Sequence, residues 1–173
     1  GCVASGRRGP GAIWRPCTAT VCELITRLGR LRADDGRPAV ASNDIGVIAP
    51  YRRQVQQIRS LLRGRGLDAI RVGTVDDYQG QEERVILISM TLTNQDRLEV
   101  DREHSLGFFA HPNRFNVALT RAKALLVLVG NPYLALSSPH WRRLLQHCVD
   151  CGTYAGPCPC PLAPSGVGVG GGE

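Results

Sequence analysis

The sequence predicts an α/β domain, a parallel sheet with helices on both faces. Three runs, 45–49, 85–90 and 124–129, are apolar almost throughout, as strands are when both of their faces are covered. Segments with helical spacing alternate with them, and parallel strands need such crossovers to return to the same end of a sheet. Ligands in sheets of this kind gather outside the carboxyl ends of the strands. That directs attention to the polar loops after Ala49, Val72 and Met90 and to the helix before Ala124.

Taken in order, residues 1–16 read as an irregular leader rich in Gly, Arg and Pro. Val21, Leu24, Ile25, Leu28 and Leu31 then recur at helical spacing and predict an amphipathic helix over 18–31. A loop with Gly36 and Pro38 leads to the strand 45–49, which Pro50 stops. The helix expected over 51–63 gathers Val55, Ile58, Leu61 and Leu62 on one face, with Arg52, Arg53, Gln56 and Arg59 off it. Gly64 and Gly66 end it.

A second strand is expected over 69–72 and a third over 85–90, with the polar stretch 73–83 between them. Residues 91–103 are charged and turn-like. A helix over 113–123 carries Phe115, Val117, Ala118 and Leu119, a fourth strand over 124–129 ends at Gly130-Asn131-Pro132, and a last helix over 140–149 turns Trp141, Leu144 and Leu145 inward. The Pro- and Gly-rich residues 155–173 are expected to be disordered. One domain, 17–154, thus stands between a leader and a tail, without internal repeats.

A length of 173 residues suits one domain with a real core. Twenty-one Lys and Arg against 15 Asp and Glu give +6 and a pI near 9.2, a lean toward an anionic partner such as nucleic acid. Much of the excess is Arg near the chain ends, so a merely solvated surface explains the charge as well. No run approaches the ~20 apolar residues of a membrane span, and no apolar segment follows Arg7 and Arg8. The chain reads as soluble, unexported and without a membrane partner. Gly1 in place of Met suggests a fragment or truncated product.

The 7 cysteines are odd in number and absent from the strand region, which argues for a reducing compartment and against a disulfide framework. His147, Cys148, Cys151, Cys158 and Cys160 would be ligands enough for zinc. Cys148 falls in an expected helix, however, and Pro157, Pro159 and Pro161 stiffen the second pair, so no metal is assigned.

Two windows concentrate polar chemistry. Val72-Gly73-Thr74-Val75-Asp76-Asp77-Tyr78-Gln79-Gly80-Gln81-Glu82 leaves one buried strand and enters another. Such a loop can set backbone amides and a carboxylate beside a ribose or phosphate, or can be a solvated turn. Arg114-Phe115-Asn116-Val117-Ala118-Leu119-Thr120-Arg121-Ala122-Lys123 interrupts a helix with cations just before a core strand. Arg121 there could reach a phosphate held by a neighbouring domain, a task that suits a guanidinium. It could equally be a surface arginine paired with Asp76, Asp77 or Glu82.

In order, spacing and wording these windows resemble the second motor domain of superfamily 1 RNA helicases, nearest the Armitage or Moloney-leukaemia-virus-ten branch and beside the nonsense-mediated-decay helicases. Residues 45–54, Ile-Gly-Val-Ile-Ala-Pro-Tyr-Arg-Arg-Gln, look like that family's motif IV, 73–82 like motif V and 114–123 like motif VI, with Gly130-Asn131-Pro132 following. The resemblance runs over about 14–154. It implies a RecA-like P-loop NTPase fold and a role in RNA silencing or surveillance.

The resemblance also implies roles for single residues. Arg121 would be the catalytic arginine finger on the transferring phosphoryl group, and Glu82 would hydrogen-bond the nucleotide ribose. Gly80 would let the backbone approach, and Gln79 would couple nucleotide state to the RNA track. Thr74 and Val75, with Asn116 and Thr120, would serve RNA-phosphate and inter-motif contacts. Arg52 and Arg53 would contact phosphate, or form only the solvated side of their helix. ATP and Mg²⁺ are the implied cofactors, and single-stranded RNA, the first RecA-like domain and silencing or decay proteins the implied partners, in the cytoplasm, with ribonucleoprotein granules as a suggested site.

No G-x-x-x-x-G-K-[ST] run and no acidic pair closing a strand is present, so the phosphate cradle is missing. The Gln-Tyr-Arg-Met segment that the family places before motif IV is missing too. The chain alone is therefore expected not to hydrolyse ATP. The rival reading is a truncated, non-catalytic module that binds RNA or protein. RNA contact is expected to be with backbone, Phe108, Phe109 and Phe115 being expected in the core.

Overall fold

A computed structural model describes residues 2–4, 17–34, 36, 38–90, 112–155 and 162–164. The turn expected over 91–103, Phe108, Phe109, Cys158 and Cys160 lie outside the described residues. In chain order the elements are β1 (Cys2–Ala4), α1 (Cys17–Leu28), β2 (Ile45–Ile48), α2 (Arg52–Arg63), β3 (Arg71–Gly73), β4 (Glu83–Ser89), α3 (Pro112–Leu119), β5 (Ala122–Gly130), α4 (Pro132–Ala135), α5 (Pro139–Asp150) and β6 (Tyr154–Ala155). The strands form one parallel sheet in the order β3-β2-β4-β5-β1-β6.

Period-two alternation divides the core. Val85, Leu87, Val127 and Val129 face α1 and α2, meeting Val21, Ile25, Val55, Ile58 and Leu62. Ile86, Ile88 and Leu128 face the opposite layer, meeting Tyr78, Phe115, Trp141 and Leu145. Each large apolar side chain so buried is worth about 1.5–3 kcal/mol, and both layers are needed because both sheet faces are apolar. This is the α/β architecture with two covered faces that the three apolar runs predict.

Four expectations need correction. The leader is not wholly irregular: Cys2–Ala4 is a strand whose backbone pairs with both β5 and β6. Three residues are too few to show periodicity, and the pairing comes from neighbours more than 120 residues away in sequence. The helix expected over 113–123 stops at Leu119, and Ala122 already belongs to β5 because it pairs with Glu83. The tail is not uniformly without structure, since Ala155 lies in β6, Leu162 packs on the second core layer and the Gln146 side-chain amide donates to the Ala163 carbonyl at 2.9 Å. The short helix α4, with Asn131 as its N-cap and Pro132 in its first turn, follows β5 where only a strand stop was expected.

Candidate functional site

Site residues read from the sequence fall at two opposite edges of the sheet. At the carboxyl edge β3 ends at Gly73 and hands over to Thr74, whose backbone N–H and hydroxyl both donate to Asp77 Oδ2, at 2.8 and 2.9 Å. Those two bonds, the backbone one first, hold the Asp77 carboxyl below its ordinary value, and Arg52 and Arg59 pull it the same way. Thr74 is nearly buried and its two donors are spent on Asp77, while the Val75 side chain belongs to the core. Both can therefore offer a ligand little beyond backbone atoms and the threonine hydroxyl oxygen.

Beside them, Arg52 and Arg53 open α2 and are exposed. The next residue, Gln54, turns inward and donates from Nε2 to Ser89 Oγ at 2.6 Å, both residues being buried. This bond ties the start of α2 to the end of β4. It is invisible to any one-dimensional pattern, because a glutamine in a helix and a serine closing a strand lie 35 residues apart.

From Thr74 the chain does not build a crossover helix. It folds back along the sheet through one 3-10 turn, Asp76–Tyr78, and reaches β4 at its amino end. Tyr78 makes this shortcut possible, lying fully buried over β2 with its hydroxyl donating to the Arg71 carbonyl at 2.9 Å. Burial pushes its phenol above the ordinary value. Gly46 supplies the room: a Cβ there would sit 2.5 Å from the Tyr78 hydroxyl and 2.8 Å from Ile86 Cδ1. Arg71 stacks its guanidinium 5.0 Å above the Tyr78 ring while donating to Gln81 Oε1 at 2.9 Å and to the Asp77 carbonyl at 3.0 Å. One arginine thereby clamps the loop on both sides of Gly80.

Gln79, Gly80 and Glu82 are exposed. Gly80 has φ +71°, which a residue with a side chain rarely adopts, and a Cβ there would meet nothing within 4 Å. The backbone is thus bare on that side. The Glu82 side chain has no hydrogen-bond or ion-pair partner among the described residues.

The Glu83 N–H donates to the Arg121 carbonyl at 3.1 Å, which sets Glu82, one residue before the donor, close in the backbone to Arg121 at the amino edge. Arg121 lies in the turn between α3 and β5, not inside a helix. Its Nε donates to the Val117 carbonyl at 3.1 Å and its Nη2 to Thr120 Oγ1 at 2.9 Å, so the half-buried guanidinium folds back over the last turn of α3. The Thr120 hydroxyl in turn shares its one proton between the carbonyls of Asn116 and Val117, at 3.0 and 3.2 Å. Of the acidic partners considered for Arg121, Asp76 instead meets Arg114, at 3.6 Å between exposed side chains.

Carboxyl strand ends were the expected location of the candidate residues, and for Arg121 and Glu82 the placement is different: both lie at the amino edge. A helix covering a parallel sheet runs against the strands, so its last turn delivers the chain to the amino end of the next strand. Arg52, Arg53, Thr74 and Val75 keep the carboxyl edge, whereas Gly80, Glu82, Thr120 and Arg121 share the amino edge. Phe115 is core, edge-on to Trp141 at 4.7 Å between ring centroids.

Among the described residues no group of three or more His, Cys, Asp or Glu could hold a metal ion, and no helix is long and apolar enough to cross a membrane. Cys148 is buried, whereas exposed Cys151 lies 3.7 Å from His147 Nε2. A cavity of about 30 Å³ near the end of β5 and a cleft of about 970 Å³ beside α1 lie elsewhere, and neither is lined by Gly80, Glu82 or Arg121.

Residues 16–133 match the family described as an AAA domain. The putative helicase MOV-10 of Gallus gallus is 41% identical over 150 residues, covering 80% of this chain and 16% of that protein. The RNA helicase Mov10l1 of Mus musculus is 50% identical over 125 residues, covering 72% of this chain and 10% of that one. The chain thus spans a small part of the relatives it matches. The crystal structure of the C-terminal domain of a possible DNA helicase from Lactobacillus (strain WCFS1) superposes with a TM-score of 0.52 at 15% identity, over 91% of this chain and 84% of that one. That likeness is one of fold.

Proposed function

Because the chain belongs to the AAA domain family, in the MOV-10 and Armitage branch of superfamily 1 RNA helicases, we propose that it is the second motor domain of an ATP-dependent RNA helicase. One observation carries the reading: the Glu83–Arg121 backbone bond draws a bare glycine-bearing loop, a carboxylate and a guanidinium to one edge of the sheet. These groups fit the ribose and phosphate chain of ATP. Gly80 lets the loop come close, Glu82 accepts from a ribose hydroxyl, and Arg121 supplies the cation.

Arg121 Nη1 makes no hydrogen bond among the described residues, and its other two bonds go to a carbonyl and a hydroxyl. An anionic oxygen outbids both acceptors, because a charge-assisted bond is roughly twice as strong as a neutral one. The guanidinium then swings off α3 to the phosphoryl group, where it lowers the charge cost of transfer. Mg²⁺ would be held with the ATP phosphates by the first motor domain, as such ions take one or two carboxylates plus phosphate oxygens, and no step is assigned to it.

The carboxyl edge would carry single-stranded RNA by its phosphates, through Arg52 and Arg53 and the backbone at Thr74 and Val75. We infer that the motor steps along RNA in silencing or surveillance, in the cytoplasm, and that this chain by itself does not turn over ATP.

The test is RNA-stimulated ATPase activity on mixing this chain with a separately made first motor domain of a relative. Activity should appear only on mixing and fall ~10³-fold or more with Arg121→Ala. Absence of activity from the mixture, with salt-sensitive RNA binding by this chain alone, would favour a non-catalytic binding module.

A further inference from the structure

We propose that the cleft between α1 and the segment entering β2 docks a partner peptide in which acidic side chains alternate with apolar ones. The cleft lies on the sheet face covered by α1 and α2, away from the loop 74–82 and α3. At about 970 Å³ it is at the upper end of the size of ligand-holding clefts.

Its lining has two parts. Ala19, Pro38, Val40 and Leu67 contribute apolar surface, and the cations Arg27, Arg30 and Arg65 stand around it, with Glu23 as the one acidic lining residue among those described. Arg65 is oriented by a 3.4 Å hydrogen bond from Nη1 to Thr26 Oγ1. The guanidiniums of Arg27 and Arg30 have no hydrogen-bond or ion-pair partner among the described residues, although both are exposed in the last turns of α1 and just past it.

Charge complementarity therefore selects an anionic occupant, and the apolar lining selects one with side chains to bury. Single-stranded RNA satisfies the first condition only. Its affinity for such grooves rests on stacking over aromatic rings as well as on charge, and none of the described residues lining this cleft is aromatic. An acidic-apolar peptide satisfies both, its apolar side chains as anchors and its carboxylates on the arginine rim.

Fluorescence anisotropy with labelled probes tests the assignment on this chain: a peptide of alternating Glu and Leu, its Gln/Leu counterpart, and oligouridine. The Glu/Leu peptide should bind saturably and move amide resonances at Gly29, Ala41 and Leu67. The Gln/Leu peptide should bind about tenfold more weakly, and so should the Glu/Leu peptide with Arg27→Glu/Arg30→Glu. Arg27→Gln/Arg30→Gln should give an intermediate loss, and oligouridine binding should stay unchanged throughout. No saturable binding, equal binding of both peptides, or resonance changes elsewhere would each overturn the proposal. Loss of oligouridine binding in the charge-reversed variant would make the cleft an RNA surface instead.

Discussion

The two edges of the sheet are built on opposite principles. At the carboxyl edge the polar groups are spent on one another: Thr74 on Asp77, Gln54 on Ser89, with Gln54, Thr74 and Ser89 all buried. At the amino edge Gln79, Gly80 and Glu82 face solvent, and Arg121 is parked on neutral acceptors, the Val117 carbonyl of α3 and the Thr120 hydroxyl in the turn after it. An edge satisfied within the chain is preformed and can hold a track in one geometry. An edge left half-satisfied keeps donors and a carboxylate open to a group from outside the chain.

Arg121→Ala offers the largest effect by which this contrast can be broken. In the reconstituted motor it should cost ~10³-fold or more in ATP turnover, about 4 kcal/mol of transition-state stabilisation, while RNA affinity without nucleotide stays within about twofold. An equal loss in RNA affinity would show that the two edges are one site.

Next comes the connection between the edges. Gly46→Ala puts a methyl where the Tyr78 hydroxyl and Ile86 Cδ1 already sit, and overpacking of this kind costs about 1–3 kcal/mol. Urea denaturation should show that loss. Gly46→Ala combined with Tyr78→Phe should recover part of it, because the hydroxyl is the nearest clash. If the double variant is no better than the single one, Tyr78 is not what the glycine accommodates.

Smaller still is the effect of exposed cations at the carboxyl edge. Arg52→Ala and Arg53→Ala should each weaken RNA binding by roughly 1 kcal/mol, uniformly across sequences, and lower the slope of log K against log salt by about 0.7. Turnover at saturating RNA should hold. A change in sequence preference would mean base contact, against the backbone reading.

The same contrast explains what could be read in advance. β2, β4 and the later part of β5 were legible because burial on both faces leaves an apolar run with no competing pattern. Glu82 and Arg121 stood out as candidates only within ordered motifs, not from their own surroundings. The register linking Glu83 to Ala122 was not legible: Thr120-Arg121-Ala122-Lys123 holds neither Gly nor Pro to end a helix, and what ends it is pairing with β4. Arg71 and Gln54 escaped notice because their partners lie across the fold, the first over an aromatic ring and the second at a strand end. An arginine on a short strand and a glutamine in the first turn of a helix otherwise read as ordinary surface residues.

The smallest expected effect concerns pH, and it arises at the carboxyl edge. Asp77 has its pKa lowered in the folded chain by the Thr74 hydrogen bonds, so its carboxylate adds stability above the ordinary carboxylate pKa. That contribution is lost as pH falls through the lowered folded value. Asp77 is largely exposed, so screening keeps the contribution well under that of a buried pair. Asp77→Asn keeps an acceptor for Thr74 but removes the titrating charge. Its urea midpoint should therefore fall less steeply than that of the unaltered chain between pH 5 and pH 3. Parallel curves for Asp77→Asn and the unaltered chain would mean that the Thr74–Asp77 pair is no more fixed than the groups at the other edge.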